Sequence, residues 1–245
     1  MGFDREFIVI GHRGAAGLLP ENTLPSFALA ATHGADAVEL DVYAVEGSLV
    51  VIHDELVDRT TNGRGAVMEF SLAGLRMLDA GNGEPVPLLD EVLDWLPAGM
   101  GINIELKGPG TAPLVARTLR TRAELLDPSR CMVSSFDHRA LARFATLGQD
   151  LPVALAPLYH RWRPTWQARV AQLNTAWLNL NEKLVNAARM RAIRDAGVAV
   201  LAYTVNTPER ALELAAMGVR GIFTDRPDLL VPVFSPCAPG APAPA

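Results

Sequence analysis

Eight short apolar runs, rich in β-branched residues, punctuate this chain, and longer stretches with helical spacing separate them. The runs fall at residues 7–10, 37–42, 101–106, 131–134, 153–156, 176–180, 198–203 and 221–223. Runs this short, bounded by turn residues, predict strands buried on both faces, as in a parallel sheet. Helical patterns at 24–33, 88–96, 111–123, 138–147, 165–173, 185–196 and 208–217 supply the crossovers such a sheet needs. Asn22 or Thr23 can cap the first, with Pro25 in its first turn and Gly34 as its stop; Gly197 and Gly218 end two others. Periodicity alone leaves a closed barrel and an open doubly wound sheet both available. No Gly-x-Gly-x-x-Gly follows the first run, which removes the specific support for a dinucleotide-binding sheet. The length, 245 residues, suits one β/α barrel of about 250 residues.

One stretch breaks the alternation. Residues 43–87 are too many for an ordinary connection and carry a short strand of their own at 49–52. A long insertion there is expected to be functional. Residues 1–235 read as a single domain, and the Pro/Ala-rich stretch 236–245 as a disordered tail.

Apolar residues make up 49% of the chain, enough for a buried core, and charged residues 20%. The formal net charge is -5 and no basic run stands out, so a nucleic-acid duplex is an unsuitable partner. Cys131 and Cys237 form no disulfide framework and suit a reducing compartment. Residues 1–7 lack the pattern of a secretory signal, and no apolar stretch spans a bilayer. The expectation is a cytoplasmic protein acting on a small molecule; oligomeric state is not readable.

A β/α barrel carries its chemistry at the C-terminal ends of its strands. The first run leads through Gly11 to His12 and Arg13, the second holds Glu39 and Asp41, and the third holds Glu105 and ends beside Lys107. The insertion's strand leads to His53 and Asp54, the seventh run ends in Tyr203, and the eighth in Thr224 and Asp225. Glu39 and Asp41 share a strand face, as do Glu105 and Lys107. A single acid at a strand end is ordinarily a salt bridge or solvated. Three inward carboxylates from neighbouring strands repel one another unless a cation lies among them, and an all-oxygen set selects Mg²⁺ or Ca²⁺, with Mn²⁺ acceptable, over Zn²⁺. His12 and His53 are placed to move protons near neutral pH. Arg13 and Lys107 are placed to offset charge on a phosphodiester. His33, His138 and His160 read as structural or exposed.

These residues fall into an ordered series of motifs. They are HRG at 12–14, PENT at 20–23, ELD at 39–41, VIHD at 51–54, PLLDEVL at 87–93, NIELK at 103–107, YTVN at 203–206 and TDRP at 224–227. Arg59, Thr60 and Thr61, followed by Gly63 and Gly65, sit within the insertion. The series resembles the glycerophosphodiester phosphodiesterase family over nearly the whole chain. The resemblance implies an α/β fold, a (β/α)8 TIM barrel with an insertion after strand 2. It also implies hydrolysis of glycerophosphodiesters to glycerol 3-phosphate and an alcohol such as choline or ethanolamine, through a cyclic phosphate. Carried over residue by residue, Glu39, Asp41 and Glu105 would bind the divalent cation, and His12 and His53 would be general acid and base. Arg13 and Lys107 would contact phosphate, while Glu21 and Asn22 would shape the loop beside His12. Tyr203, where the family often has tryptophan, would contact substrate. The loop 158–165, with Tyr159, His160, Trp162 and two arginines, reads as packing on the barrel rim; its aromatic residues could alternatively receive a choline cation. Two rival functions remain: lysophospholipase D-type hydrolysis of lysolipids, for which Val67, Met68 and Phe70 would have to admit acyl chains, and a barrel that binds glycerophosphodiesters without turnover.

Overall fold

The computed structural model describes residues 6–122 and 130–235. Within them the eight predicted runs all form strands of one sheet. They are β1 (Ile8–Gly11), β2 (Ala37–Val45), β4 (Gly101–Leu106), β5 (Cys131–Ser135), β6 (Ala154–Tyr159), β7 (Trp177–Asn181), β8 (Ala199–Tyr203) and β9 (Gly221–Thr224). Each pairs in parallel with its neighbours, and β1 pairs with both β9 and β2, so the sheet closes into an eight-stranded barrel. A ninth strand, β3 (Ser48–Val51), lies antiparallel on β2 and belongs to the insertion.

Helices α1 (Leu24–Thr32), α3 (Leu89–Trp95), α4 (Thr111–Thr121), α5 (His138–Leu147), α6 (Trp166–Leu173), α7 (Ala187–Asp195), α8 (Pro208–Ala216) and α9 (Pro227–Phe234) follow the barrel strands; α2 (Leu72–Arg76) lies in the insertion. Their starts are set by side chains that accept from otherwise unpartnered backbone N–H groups. Thr23 caps α1, Asp137 caps α5 and Asn186 caps α7. Asn22, the other candidate for α1, donates to Asp41 on β2 instead.

Residues two apart on a strand face the same way, and the barrel interior changes character along its axis. Ile8, Ile10, Ala37, Met132 and Leu201 form its apolar floor. Towards the C-terminal ends the same faces carry Glu39, Asp41, Asn103, Glu105 and Ser134, all buried. A larger apolar layer between barrel and helices holds the fold together. The insertion is no loose loop. Val45, Val50, Val57, Val67 and Leu75 form a core of its own, and Arg76 pins α2 to α3 by donating to both oxygens of Glu91 at 2.6 and 2.8 Å. Val67 is thus internal, leaving Met68 of the expected apolar cluster exposed. Cys237 and the tail at 236–245 lie outside the described residues.

Candidate active site

Strand pairing brings the three acids together. β2 and β4 run in register with Asp41 opposite Glu105, and Glu39 lies on the same face two residues before Asp41. Oxygens from all three lie within 4.8 Å of one another, and the residues are 3%, 1% and 8% exposed. Burial first, and then the neighbouring carboxylates, push Glu39 well above the usual range. The same two causes push Glu105 up to about 7, against the pull of Lys107.

Two cations and one amide bind this cluster. Lys107 Nζ donates to Glu105 Oε1 at 2.8 Å and lies 3.4 Å from Asp41 Oδ1. The Arg13 backbone N–H donates to Glu39 at 2.9 Å, and its Nε lies 3.5 Å from Asp41 Oδ2. Asn22 Nδ2 donates to Asp41 Oδ2 at 3.0 Å. Even so, Asp41 Oδ1 is buried without a hydrogen bond. Three buried carboxylates with a free oxygen among them form a hard, all-oxygen donor set, and they fit a divalent cation.

The two histidines line the same cavity of about 500 Å³, with Glu39, Glu105, Phe136 and Tyr203. His12 follows β1, its backbone N–H donating to Thr224 at 2.8 Å. His53 follows β3, and the Ile52 N–H bonded to the Asp41 carbonyl at 3.1 Å fixes that exit beside the acids. Each imidazole is held at Nδ1 by a carboxylate: His12 by Asp225 Oδ1 at 2.7 Å, His53 by Asp54 Oδ1 at 2.5 Å. Both carboxyls titrate low. Burial pushes Asp225 up, but the bonds from His12 and Asn206 outweigh it. A bond from Arg59, above all, holds Asp54 at about 2. An ionised carboxylate only accepts, so each Nδ1 donates, and in a neutral ring Nε2 keeps its lone pair. Burial holds the His53 imidazole below its ordinary range, with Asp41 pulling the other way.

A larger cavity, about 820 Å³, lies by the N-terminal ends of β6 and β7 and has no ionisable side chain in its lining. Glu39, Asp41, Glu105, His12 and His53 gather instead at the C-terminal end of the barrel.

Residues 12–229 match the family described as the Glycerophosphoryl diester phosphodiesterase family. The chain belongs to this family. It is 34% identical over 241 residues to the glycerophosphodiester phosphodiesterase of Caldanaerobacter subterraneus subsp. tengcongensis, covering 91% of this chain and 96% of that one. To a glycerophosphodiester phosphodiesterase of Bacillus subtilis it is 32% identical over 247 residues, covering 91% and 84%. Its fold is similar to that of an Oleispira antarctica phosphodiesterase solved in complex with the product sn-glycerol-3-phosphate, with a TM-score of 0.87 at 30% identity over 95% of this chain and 98% of that one.

In this member of the family, every predicted site residue lies in one neighbourhood. Residues given no chemical role from sequence join it. Asp54 and Asp225 hold the histidines, and Asn206 Nδ2 holds Asp225 Oδ2 at 2.7 Å. Arg59 donates to Asp54 at 2.5 Å and to both oxygens of Glu21 at 2.7 Å, while Glu21 also accepts from Arg13 at 2.7 Å. Burial pushes Glu21 up, but the two arginines prevail and hold its carboxyl at about 2. The signal for Asp225 and Asp54 was their position at strand exits.

Proposed function

We propose that this chain hydrolyses glycerophosphodiesters to glycerol 3-phosphate and an alcohol, with His12 and His53 as the acid–base pair. The observation that carries this reading is the pair of Nδ1-anchored imidazoles opening on the cavity that holds the carboxylate cluster. Glu39, Asp41 and Glu105 would hold a divalent cation, their oxygen-only set suiting Mg²⁺ or Ca²⁺, with Mn²⁺ acceptable. When bound, it would draw negative charge from the phosphoryl oxygens as phosphorus is attacked.

The protein's own groups supply the rest. One imidazole takes, at Nε2, the proton of the attacking hydroxyl; the other, protonated at Nε2, gives its proton to the leaving alkoxide. A free hydroxyl of the substrate's own glycerol is the economical nucleophile, because it is already held beside phosphorus. Water then opens the cyclic phosphate with the two roles exchanged. Arg13 and Lys107, beside the acids, offset charge on phosphate. Tyr203 has a buried hydroxyl without a hydrogen-bond partner, and burial, then Glu105, push its ionisation up. It therefore stays neutral and can donate to a substrate oxygen.

The test is glycerol 3-phosphate release from glycerophosphocholine after EDTA treatment, with Mg²⁺, Ca²⁺ or Mn²⁺ restored. Turnover that disappears with EDTA and returns with one ion supports both reaction and metal. Turnover indifferent to EDTA sinks the metal assignment, and no turnover of any glycerophosphodiester sinks the reaction.

A further inference from the structure

Next to the active-site cavity lies a second one, of about 410 Å³, and the two share Phe136 and Leu158 in their walls. Phe136 is the partition. Lys107 Nζ lies 5.9 Å from its ring centre and the Tyr203 ring meets it edge-on at 5.8 Å. His160, which belongs to the second cavity, lies 5.6 Å away. A leaving group directed past Phe136 would enter the second cavity.

The chemistry of that cavity is one-sided. Arg161, Arg163 and Arg169 line it, with His138 and His160, and no carboxylate does. Among the described residues none of the three arginines meets an acid; the Arg169 guanidinium donates to Gln172, at 2.5 Å. Thr165, the N-cap of α6, lies on one side of the helix with Ala168, Arg169 and Gln172, and the positive end of α6 adds to the field. Tyr159 lies in the wall, and Arg169 and Arg163 both act to lower its ionisation against the effect of burial. A choline or ethanolamine cation entering here meets unneutralised guanidinium groups, and the aromatic rings of the loop do not offset them. A phosphate meets forked donors that match its oxygens.

We propose that this cavity receives negative charge on the leaving alcohol, so that the preferred substrates are glycerophosphodiesters whose alcohol carries a second phosphate. The inference rests on the glycerophosphodiesterase reading and adds the leaving-group class to it.

A matched pair of substrates separates the two. Glycerophosphoglycerol and the same diester bearing a phosphate on its leaving glycerol differ only in the group that would reach the arginines. With the full chain and its activating divalent cation, the phosphorylated substrate should have a kcat/KM higher by about tenfold or more, the size of one charge-assisted contact. That ratio should shrink as ionic strength rises. In Arg161→Ala/Arg163→Ala it should fall to near one, with thermal unfolding confirming the fold; both side chains are exposed. A ratio at or below one in the parent protein overturns the proposal, as does a preference the double variant retains. Turnover of neither diester would remove the parent reading and this one with it.

Discussion

Asp41 and Glu105 face each other in register on adjacent parallel strands, both buried and both acidic. With Glu39 beside them they store repulsion that the fold offsets only in part through Lys107, Arg13 and Asn22. A group that stores repulsion without its ion gains most on binding it. Glu39→Gln keeps the shape and can carry no charge. The metal-free variant should therefore melt no lower than the parent protein. In the parent, Ca²⁺ or Mg²⁺ should raise Tm by the equivalent of about 3–4 kcal/mol at several hundred times Kd; in the variant that rise should be lost. Thermal unfolding with EDTA and with added ion reads both quantities. A full metal-induced shift in the variant would show that Glu39 is no ligand.

Asp225 touches none of the acids but fixes His12 through Nδ1, and Asn206 fixes Asp225 in turn. Asp225→Asn replaces an obligate acceptor with a group that can donate. The ring can then place its proton on Nε2, where it cannot act as a base. We expect kcat to fall by about 100-fold or more, as for a base left in the wrong tautomer, with divalent-ion affinity unchanged by calorimetry. Combining it with His12→Ala should cost little beyond His12→Ala alone, since the two act as one unit. Nitrogen shifts of the His12 ring check the tautomer directly; an unaltered tautomer with normal kcat would separate Asp225 from the chemistry.

Arg59 ties the insertion to the loop after β1 by joining Asp54 to Glu21. Both carboxyls titrate at about 2, below their ordinary values of 3.8 and 4.5. Groups depressed in the folded state give stability that is present above the unfolded values and lost as pH falls from about 4.5 through about 2. Arg59→Ala should destabilise the protein at pH 7 by about 1 kcal/mol, since the arginine is half-exposed. It should also flatten the acid limb of the stability profile between those pH values. Urea unfolding at stepped pH measures this. Because Asp54 is also the partner of His53, kcat should fall more than KM rises. Parallel acid limbs for variant and parent would mean that other groups set the acid sensitivity.

The strands were readable because a fully buried parallel strand has one signature, a short apolar run, and this chain offers eight. β2 runs on to Val45 because residues beyond the predicted end pair with β3 through a tight turn at Glu46 and Gly47, both at positive φ (47° and 79°). Helix α9 was missed: its sequence, PDLLVPVF, is short and holds Pro232, a residue that ordinarily ends a helix, although Pro227, Leu230 and Val231 share a buried face. It packs on β1, with Phe234 stacked 3.8 Å from Phe7. Within the site, the histidines stood out because each follows a strand, and the acids because they lie on the inward faces of strands. The pairings did not: His12 and Asp225 are 213 residues apart, and Arg59 and Glu21 are 38 apart. Barrel closure creates the first contact and docking of the insertion the second, and neither leaves a spacing to read. The arginine cavity was hidden for a related reason. The loop 158–165 shows two arginines in sequence, but the third, Arg169, joins them only through the turn of α6.

Gly14 shows how the HRG turn serves the site. Its φ is +86°, and an added Cβ would lie 2.5 Å from the carbonyl carbon and hydroxyl of Ser26 in α1. Ser26 Oγ donates to the Arg13 carbonyl at 3.1 Å and accepts from the Ala15 N–H at 2.9 Å. The same turn holds Arg13 at φ 53°, so that its N–H reaches Glu39. Gly14→Ala combines a left-handed backbone penalty with a clash against helix backbone that cannot swing aside. Together these should cost about 2–4 kcal/mol, measured as a lower urea midpoint at unchanged m-value. The turn can relieve the clash only by moving away from α1, which carries His12 and the Arg13 N–H with it. Loss of activity should therefore exceed the fraction unfolded at the assay temperature. If residual activity merely tracked the folded fraction, the turn would be structural support alone, with no part in setting the position of His12.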